Sequence, residues 1–240
     1  MKSLVTGGKG FIGSNLVDEL VRQGHEVIVI DNECSSDGNF YFNDGAEYYD
    51  YDIRDEEATR PLYEGVDYVF HLAAEARIQP AIENPIQAVS INSVGTCTVL
   101  QLAREAGVKR VVYSSTSSGY GMNEPPNVEC QPDDCLNPYS VSKVNGEKLC
   151  KMYTDLFGLE TIIFRYFNVY GKRQPLKGQY APVIGIFFRQ LVDRQTLTIV
   201  GDGEQRRDFV NVEDVVKANI LAATKELDKD SFGEVYNVGS

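Results

Sequence analysis

Tyr139 and Lys143 stand four residues apart, directly after an Asn137-Pro138 pair. Asn137 reads as a helix N-cap and Pro138 as the first helical residue, which puts both side chains on one face of the opening turns. There the lysine cation and the positive end of the helix both favour phenolate. A tyrosine so placed can exchange a proton with a substrate hydroxyl near neutral pH. A run of hydroxyls, Ser114 to Ser118, closes an apolar β-type segment at 109–115 and precedes Gly119-Tyr120-Gly121. Ligand groups of open α/β sheets collect at such strand ends, and Thr116 can donate a hydrogen bond to the reacting oxygen there.

Gly7, Gly10 and Gly13 form G-x-x-G-x-x-G between a strand-like run at 2–6 and a helical pattern at 11–23. In that context a pyrophosphate can approach backbone N–H groups at the helix N-terminus. Asp31 ends the next strand-like run, 26–31, where a carboxylate can accept both hydroxyls of an adenosine ribose. It would also repel a 2′-phosphate, and neighbouring Asn32 and Glu33 bring no cation to receive one. NAD is therefore favoured over NADP.

These groups need a scaffold, and the apolar pattern supplies one. Short β-branched runs at 2–6, 26–31, 67–72, 109–115, 161–166, 196–200 and 235–238 alternate with helical patterns at 11–23, 86–106, 138–157, 182–194 and 212–227. That alternation predicts an α/β fold, a Rossmann-like doubly wound parallel sheet. Val141, Val144, Leu149, Met152 and Leu156 make one stripe on the 138–157 helix, available to the core or to a partner. Acidic residues outnumber basic ones 35 to 23 for a net charge of −12. This excludes a chain built to wrap nucleic acid or an anionic membrane. No run approaches the roughly 18 apolar residues of a membrane span, and a strand-like run starting right after Met1-Lys2 leaves no room for a signal peptide. The expected location is the cytoplasm. Five cysteines (Cys34, Cys97, Cys130, Cys135, Cys150), without C-x-x-C and with only two His, predict neither a zinc site nor a disulfide framework.

Seven motifs follow one another along the whole chain. They are the glycine triplet, Asp31, His71-Leu72-Ala73-Ala74, the Ser/Thr run to Tyr120-Gly121, Tyr139/Lys143, Arg165 to Gly171, and Gly201 to Phe209. In this order they resemble the extended short-chain dehydrogenase/reductases that act on nucleotide sugars, and within them the UDP-hexose 4-epimerase branch. The resemblance implies NAD held by Gly7, Gly10, Phe11, Ile12, Gly13, Asp31, Asn32, Asp52, Ile53, Leu72, Ala73, Ala74, Asn92, Ser114, Tyr139, Lys143 and Tyr166. It implies a catalytic set of Thr116, Tyr139 and Lys143, and a UDP-sugar bound through Thr116, Asn168 and Arg207. Lys172, Arg173, Lys177, Arg206 and Arg207 fit a local diphosphate site in an acidic protein. No metal is implied. Residues 1–171 would carry the cofactor and the catalytic groups. Residues 172–240 would be part of a substrate-binding region, with about 209–227 returning to the first domain.

The same resemblance bears on the reaction. Sugar dehydratases of this family carry an acidic pair after the catalytic Thr, and uronate decarboxylases usually a Glu at the second of those positions, where this chain has Ser117 and Ser118. The remaining outcome is epimerisation through a transient 4-keto sugar and enzyme-bound NADH. A UDP-glucuronate 4-epimerase or decarboxylase, with Arg77 facing the uronate, and a non-catalytic nucleotide-sugar binding protein stay open as alternatives. Gly119 replaces an apolar residue usual in the family and is expected to loosen the Thr116 loop. A homodimer joined through the helices at 86–106 and 138–157 is implied. A further C-terminal segment that closes over the sugar is also implied, so the 240 residues alone are expected to bind UDP-sugars weakly and turn over slowly.

Overall fold

Leu4 and Val5, Ile28 and Val29, Val69 and Phe70, and Val111 and Val112 are neighbours in sequence and all buried. Successive strand residues point to opposite faces, so each of these strands must be covered on both sides. The computed structural model, which describes residues 1–34, 39–176 and 183–239, meets that demand. Its strands are β1 (Lys2–Thr6), β2 (Glu26–Ile30), β3 (Ala46–Tyr49), β4 (Tyr68–His71), β5 (Arg110–Thr116), β6 (Glu160–Tyr166), β7 (Asn168–Tyr170), β8 (Phe209–Asn211) and β9 (Val235–Val238). Its helices are α1 (Phe11–Arg22), α2 (Glu56–Thr59), α3 (Ile78–Glu83), α4 (Pro85–Val89), α5 (Thr96–Glu105), α6 (Pro138–Phe157), α7 (Val183–Val192) and α8 (Val212–Thr224).

Seven strands form one parallel sheet in the order β3-β2-β1-β4-β5-β6-β9, and β7 and β8 pair separately. Leu16 and Val17 of α1 and Val215 and Ile220 of α8 join Val5, Val29 and Val112 on one face. Val99 and Leu102 of α5 and Cys150 and Tyr153 of α6 join Leu4, Ile28 and Val111 on the other. This is a Rossmann-like, doubly wound sheet. Its strand order reverses direction beside β1, where open α/β sheets place their ligands at the carboxyl ends of the strands.

Two expectations are corrected. Residues 196–200 form no strand: Leu197, Ile199 and Val200 are exposed, and Thr198 is held by the Gln190 side chain at 3.0 and 3.3 Å. A β-branched run without a partner strand has no ladder to join. The helix expected over 86–106 is interrupted by a π-helical turn, Ser90–Gly95, which turns buried Asn92 and Ser93 inward. Such widened turns recur where a side chain inside a helix has work to do. Three short strands and two short helices also escape the sequence pattern, namely β3, β7, β8, α2 and α3.

His71 ends β4 and locks the sheet to that widened turn. The Thr96 hydroxyl donates to the Asn92 carbonyl (2.6 Å), so it accepts from His71 Nε2 (2.9 Å). Thr6 Oγ1 accepts the Ala73 N–H (3.2 Å) and donates to His71 Nδ1 (2.7 Å). This network assigns a neutral ring protonated at Nε2. Burial holds its pKa down to about 3 from 6.5. Above 6.5 the ring is neutral in both folded and unfolded chains; below it only the unfolded chain takes up the proton, and stability falls until about pH 3. For His71 alone the loss between pH 7 and pH 5 is about 2 kcal/mol. Urea unfolding at the two pH values should show that His71→Asn, though less stable at pH 7, loses about 2 kcal/mol less than the parent over the interval. Equal losses would remove His71 from the acid response.

Candidate active site

The glycine-rich loop after β1 is shaped by close backbone approach. Gly7 has φ 73°, and a Cβ there would lie 2.7 Å from Ala73 N, so the loop is pressed onto the Leu72-Ala73-Ala74 segment that leaves β4. A Cβ on Gly13 would lie 2.1 Å from Gly7 O, which brings the first turn of α1, Phe11 and Ile12 included, directly over the loop. Gly10 differs, because a Cβ there would meet only Gly7 O at an ordinary 3.5 Å. Nothing inside the chain requires glycine at that point. Gly10 caps α1 without a side-chain hydrogen bond, and no acidic residue occupies the first turn. The N–H groups of that turn are therefore offered to an anion from outside, as a dinucleotide diphosphate requires.

Asp31 lies just beyond β2, with Oδ2 accepting the Lys9 N–H (2.9 Å) and Oδ1 the Glu33 N–H (3.0 Å). Asn32 donates to Asp52 Oδ2 (3.3 Å). The Asp52 carboxylate is gripped by the Arg54 guanidinium (2.6 and 2.8 Å), which holds its pKa below the usual range. Ile53 is buried against Gly95. Asn92 is wholly occupied within the protein. Its Oδ1 accepts the Glu75 N–H (2.8 Å), and its Nδ2 donates to Glu75 O (3.0 Å) and Ser142 Oγ (2.9 Å). Ser142 in turn donates to Tyr139 O (2.9 Å), so Asn92 ties the loop after β4 to the first turn of α6.

Helix α6 starts where the sequence predicts. The Asn137 side chain accepts the Ser140 N–H (2.9 Å), and the Ser140 hydroxyl accepts the Asn137 N–H (3.3 Å). Tyr139 falls in the first turn and Lys143 one turn on. The Lys143 ammonium lies 4.3 Å from the centre of the Tyr113 ring, and Tyr113 donates to the Lys143 carbonyl (3.1 Å). Burial draws the Lys143 pKa down to about 8, so the side chain is still mainly cationic at pH 7. Tyr139 is half-buried. Burial raises its pKa, the Thr116 hydroxyl works to lower it and the Glu75 carboxylate to raise it further. In the protein alone, burial thus sets the direction of the shift, and the lysine that the sequence singles out is not among its causes.

Thr116 Oγ1 accepts the Ser118 N–H (3.1 Å), which leaves its proton for another acceptor. Gly119 does not loosen this loop: it is buried, a Cβ there would lie 2.9 Å from Val144, and its carbonyl accepts the Asp134 N–H (2.9 Å). Below the loop, Ser115 and Arg165 both donate to Glu147 (2.5, 2.6 and 2.9 Å), and Arg165 also reaches Asp133 (2.6 Å). These contacts brace β5, α6 and β6 together. Ser114 Oγ lies 3.0 Å from the Tyr166 hydroxyl, which also accepts from Asn219 of α8 (2.7 Å). Burial pushes the Tyr166 pKa up to about 12.

Asn168 donates to Asp208 O (2.7 Å) across the β7–β8 pair. Arg207 is exposed and donates to Arg206 O (2.6 Å). Lys172 and Arg173 are engaged by Asp18 of α1 at 3.7 and 2.9 Å. Lys177 lies outside the described residues. Sequence reasoning passed over Lys9, Glu75, Tyr113 and Gly146. Glu75 directly continues the His71-Leu72-Ala73-Ala74 motif, and Gly146 is a glycine inside a helical pattern, a signal of close packing.

The NAD dependent epimerase/dehydratase family matches residues 3–239, and the chain belongs to that family. It is 40% identical to a putative UDP-glucose 4-epimerase of Methanocaldococcus jannaschii, across 99% of this chain and 76% of that one. It is 37% identical to a UDP-N-acetyl-alpha-D-glucosaminuronate decarboxylase of Bacillus cytotoxicus, across 100% and 75%. The structure of a UDP-glucose 4-epimerase from Thermotoga maritima, with UDP-glucose, matches with a TM-score of 0.91 and 36% identity, across 100% of this chain and 77% of that one. The protein is accordingly an NAD-dependent enzyme, and the open N-terminus of α1 fits that cofactor.

Thr116 and Glu75 act on Tyr139 in opposite directions, which a pH–rate profile can read. Thr116→Val removes a donor to the phenolate, so the acid limb should move to higher pH and turnover fall roughly ten- to hundredfold, as for one hydrogen bond to a charged group. Glu75→Gln removes a negative charge, so the limb should move to lower pH. A limb unmoved in both variants would exclude Tyr139 as the titrating group.

Proposed function

We propose that the protein interconverts the two C4 epimers of a UDP-hexose. The observation that carries this reading is the hydrogen bond between Thr116, at the end of β5, and Tyr139, with buried Lys143 one turn further along α6 and Ser117 and Ser118 following Thr116. Tyr139 Oη takes the proton of the sugar hydroxyl and later returns it. The Thr116 hydroxyl holds the oxygen that loses that proton, and the Lys143 ammonium balances the charge of the phenolate. NAD, when bound, supplies a hydride acceptor that can give the hydride back. Gly7 to Gly13 hold its diphosphate and Asp31 its adenosine ribose, while Asn168 and Arg207 bind the UDP. Residues 1–171 carry the cofactor and the acid–base groups in this reading, and 172–240 contribute to the sugar-nucleotide side.

Ser117 and Ser118 support epimerisation, because neither can act as the acid or base that elimination from the keto sugar needs. The Glu75 carboxylate, which faces Tyr139 and whose pKa burial raises, supports a second reading in which water is lost. Products separate the two: incubation with UDP-glucose, UDP-N-acetylglucosamine and UDP-glucuronate in turn should yield a 4-epimer of one of them. A dehydrated or decarboxylated sugar would overturn the proposal. Tyr139→Phe should lower turnover by roughly 10²–10⁴-fold, as for loss of an acid–base group, while NAD binding persists.

We also propose a homodimer. Val144 is buried and Met152 packs on the core, whereas Val141 and Leu156 of the same helix are exposed, as are Ile86 and Val89 of α4. A second copy would cover them in a bundle of paired helices. Sedimentation at micromolar concentration should show the dimer, and Val141→Glu should shift it to monomer.

A further inference from the structure

Lys9 lies in the glycine-rich loop after β1, between Gly8 and Gly10, and its side chain is only 4% exposed. Its ammonium pairs with Glu33 Oε1 at 2.6 Å and lies 5.3 Å from the centre of the Phe42 ring. Glu33 reaches it from a left-handed backbone, φ 54°, a conformation that a residue with a side chain seldom takes. Between the two, Asp31 accepts both their N–H groups. Three charges are thereby gathered at the end of β2: one buried cation and two carboxylates, net −1.

A cation therefore does stand beside the ribose carboxylate, and it is cancelled. An ammonium taken from water needs a charged partner, and here the partner comes from the residue two beyond Asp31. Were that partner absent, Lys9 and Asp31 would balance to zero, and an incoming phosphate would meet one carboxylate opposed by an unpaired ammonium in place of two carboxylates. We propose that Glu33 covers Lys9 and so closes the ribose end of the cofactor site to a 2′-phosphate. The Lys9–Glu33 pair, and not Asp31 alone, then sets the choice of NAD over NADP. This rests on the reading of Asp31 as the ribose-binding residue.

Equilibrium binding of NAD and NADP to the full chain, by calorimetric titration, tests it. Glu33→Gln should tighten NADP binding at least tenfold and leave NAD within about threefold. Glu33→Gly should do the same, and because glycine relieves the left-handed strain it remains informative if the glutamine variant folds poorly. Adding Lys9→Met to either should abolish the gain. NADP affinity unchanged in both Glu33 variants, or a gain that survives Lys9→Met, would overturn the proposal while NAD binding by the parent still supports the cofactor site. A parent chain that binds neither dinucleotide would overturn the cofactor site itself.

Discussion

How closely α6 can approach β5 decides where Tyr139 and Lys143 stand. The Tyr113 phenol enters the surface of α6 at Gly146, where a Cβ would lie 2.2 Å from its oxygen. With that space open, the phenol bonds the Lys143 carbonyl and its ring carries the Lys143 ammonium. Any side chain at 146 would push the helix outward and take Lys143 and Tyr139 with it. Interiors packed to crystal density do not absorb such a displacement without loss. One absent methyl thus positions two functional groups that lie three and seven residues earlier in the sequence.

The segments around Thr116 and Asn92 are tied to the same helix from three sides. Glu147 of α6 collects Ser115 and Arg165, which fixes it to β5 and β6. Ser142 takes Asn92, and through it the loop after β4. Val144 lies on Gly119 and holds the turn that follows Thr116. Ser142, Val144 and Glu147 point in different directions around the helix axis, so the helix is registered against its neighbours in rotation as well as in distance. That rigidity is what the proposed proton transfer over hydrogen-bond length would need.

The sequence discloses the parts of this arrangement that depend on local signals. Helix α6 is legible from Asn137 and Pro138, and the loop after β1 from its glycines, because caps and tight turns are properties of a few adjacent residues. Its limits are equally physical. β3, Ala46-Glu47-Tyr48-Tyr49, is half polar because it is the sheet's edge, and so does not read as a buried strand. Residues 196–200 read as one, but a strand exists only with a partner. Asn92 and Lys9 act through contacts with residues 17 and 24 positions away, which no spacing rule anticipates.

Net charge is the poorest guide to the site. A chain of −12 would be expected to repel a dinucleotide and a sugar diphosphate, and its cations are in large part spent internally. Arg54 is held by Asp52, Arg165 by Glu147, Arg173 by Asp18 and Lys9 by Glu33. Among the described residues, what α1 offers an anion at the strand ends near β1 is the backbone itself, the N–H groups of its first turn with the dipole behind them. Such donors are fixed in direction and cannot be titrated. An acidic surface can therefore coexist with the proposed diphosphate site, and side-chain charge at its proposed ribose end is left free to discriminate between ligands.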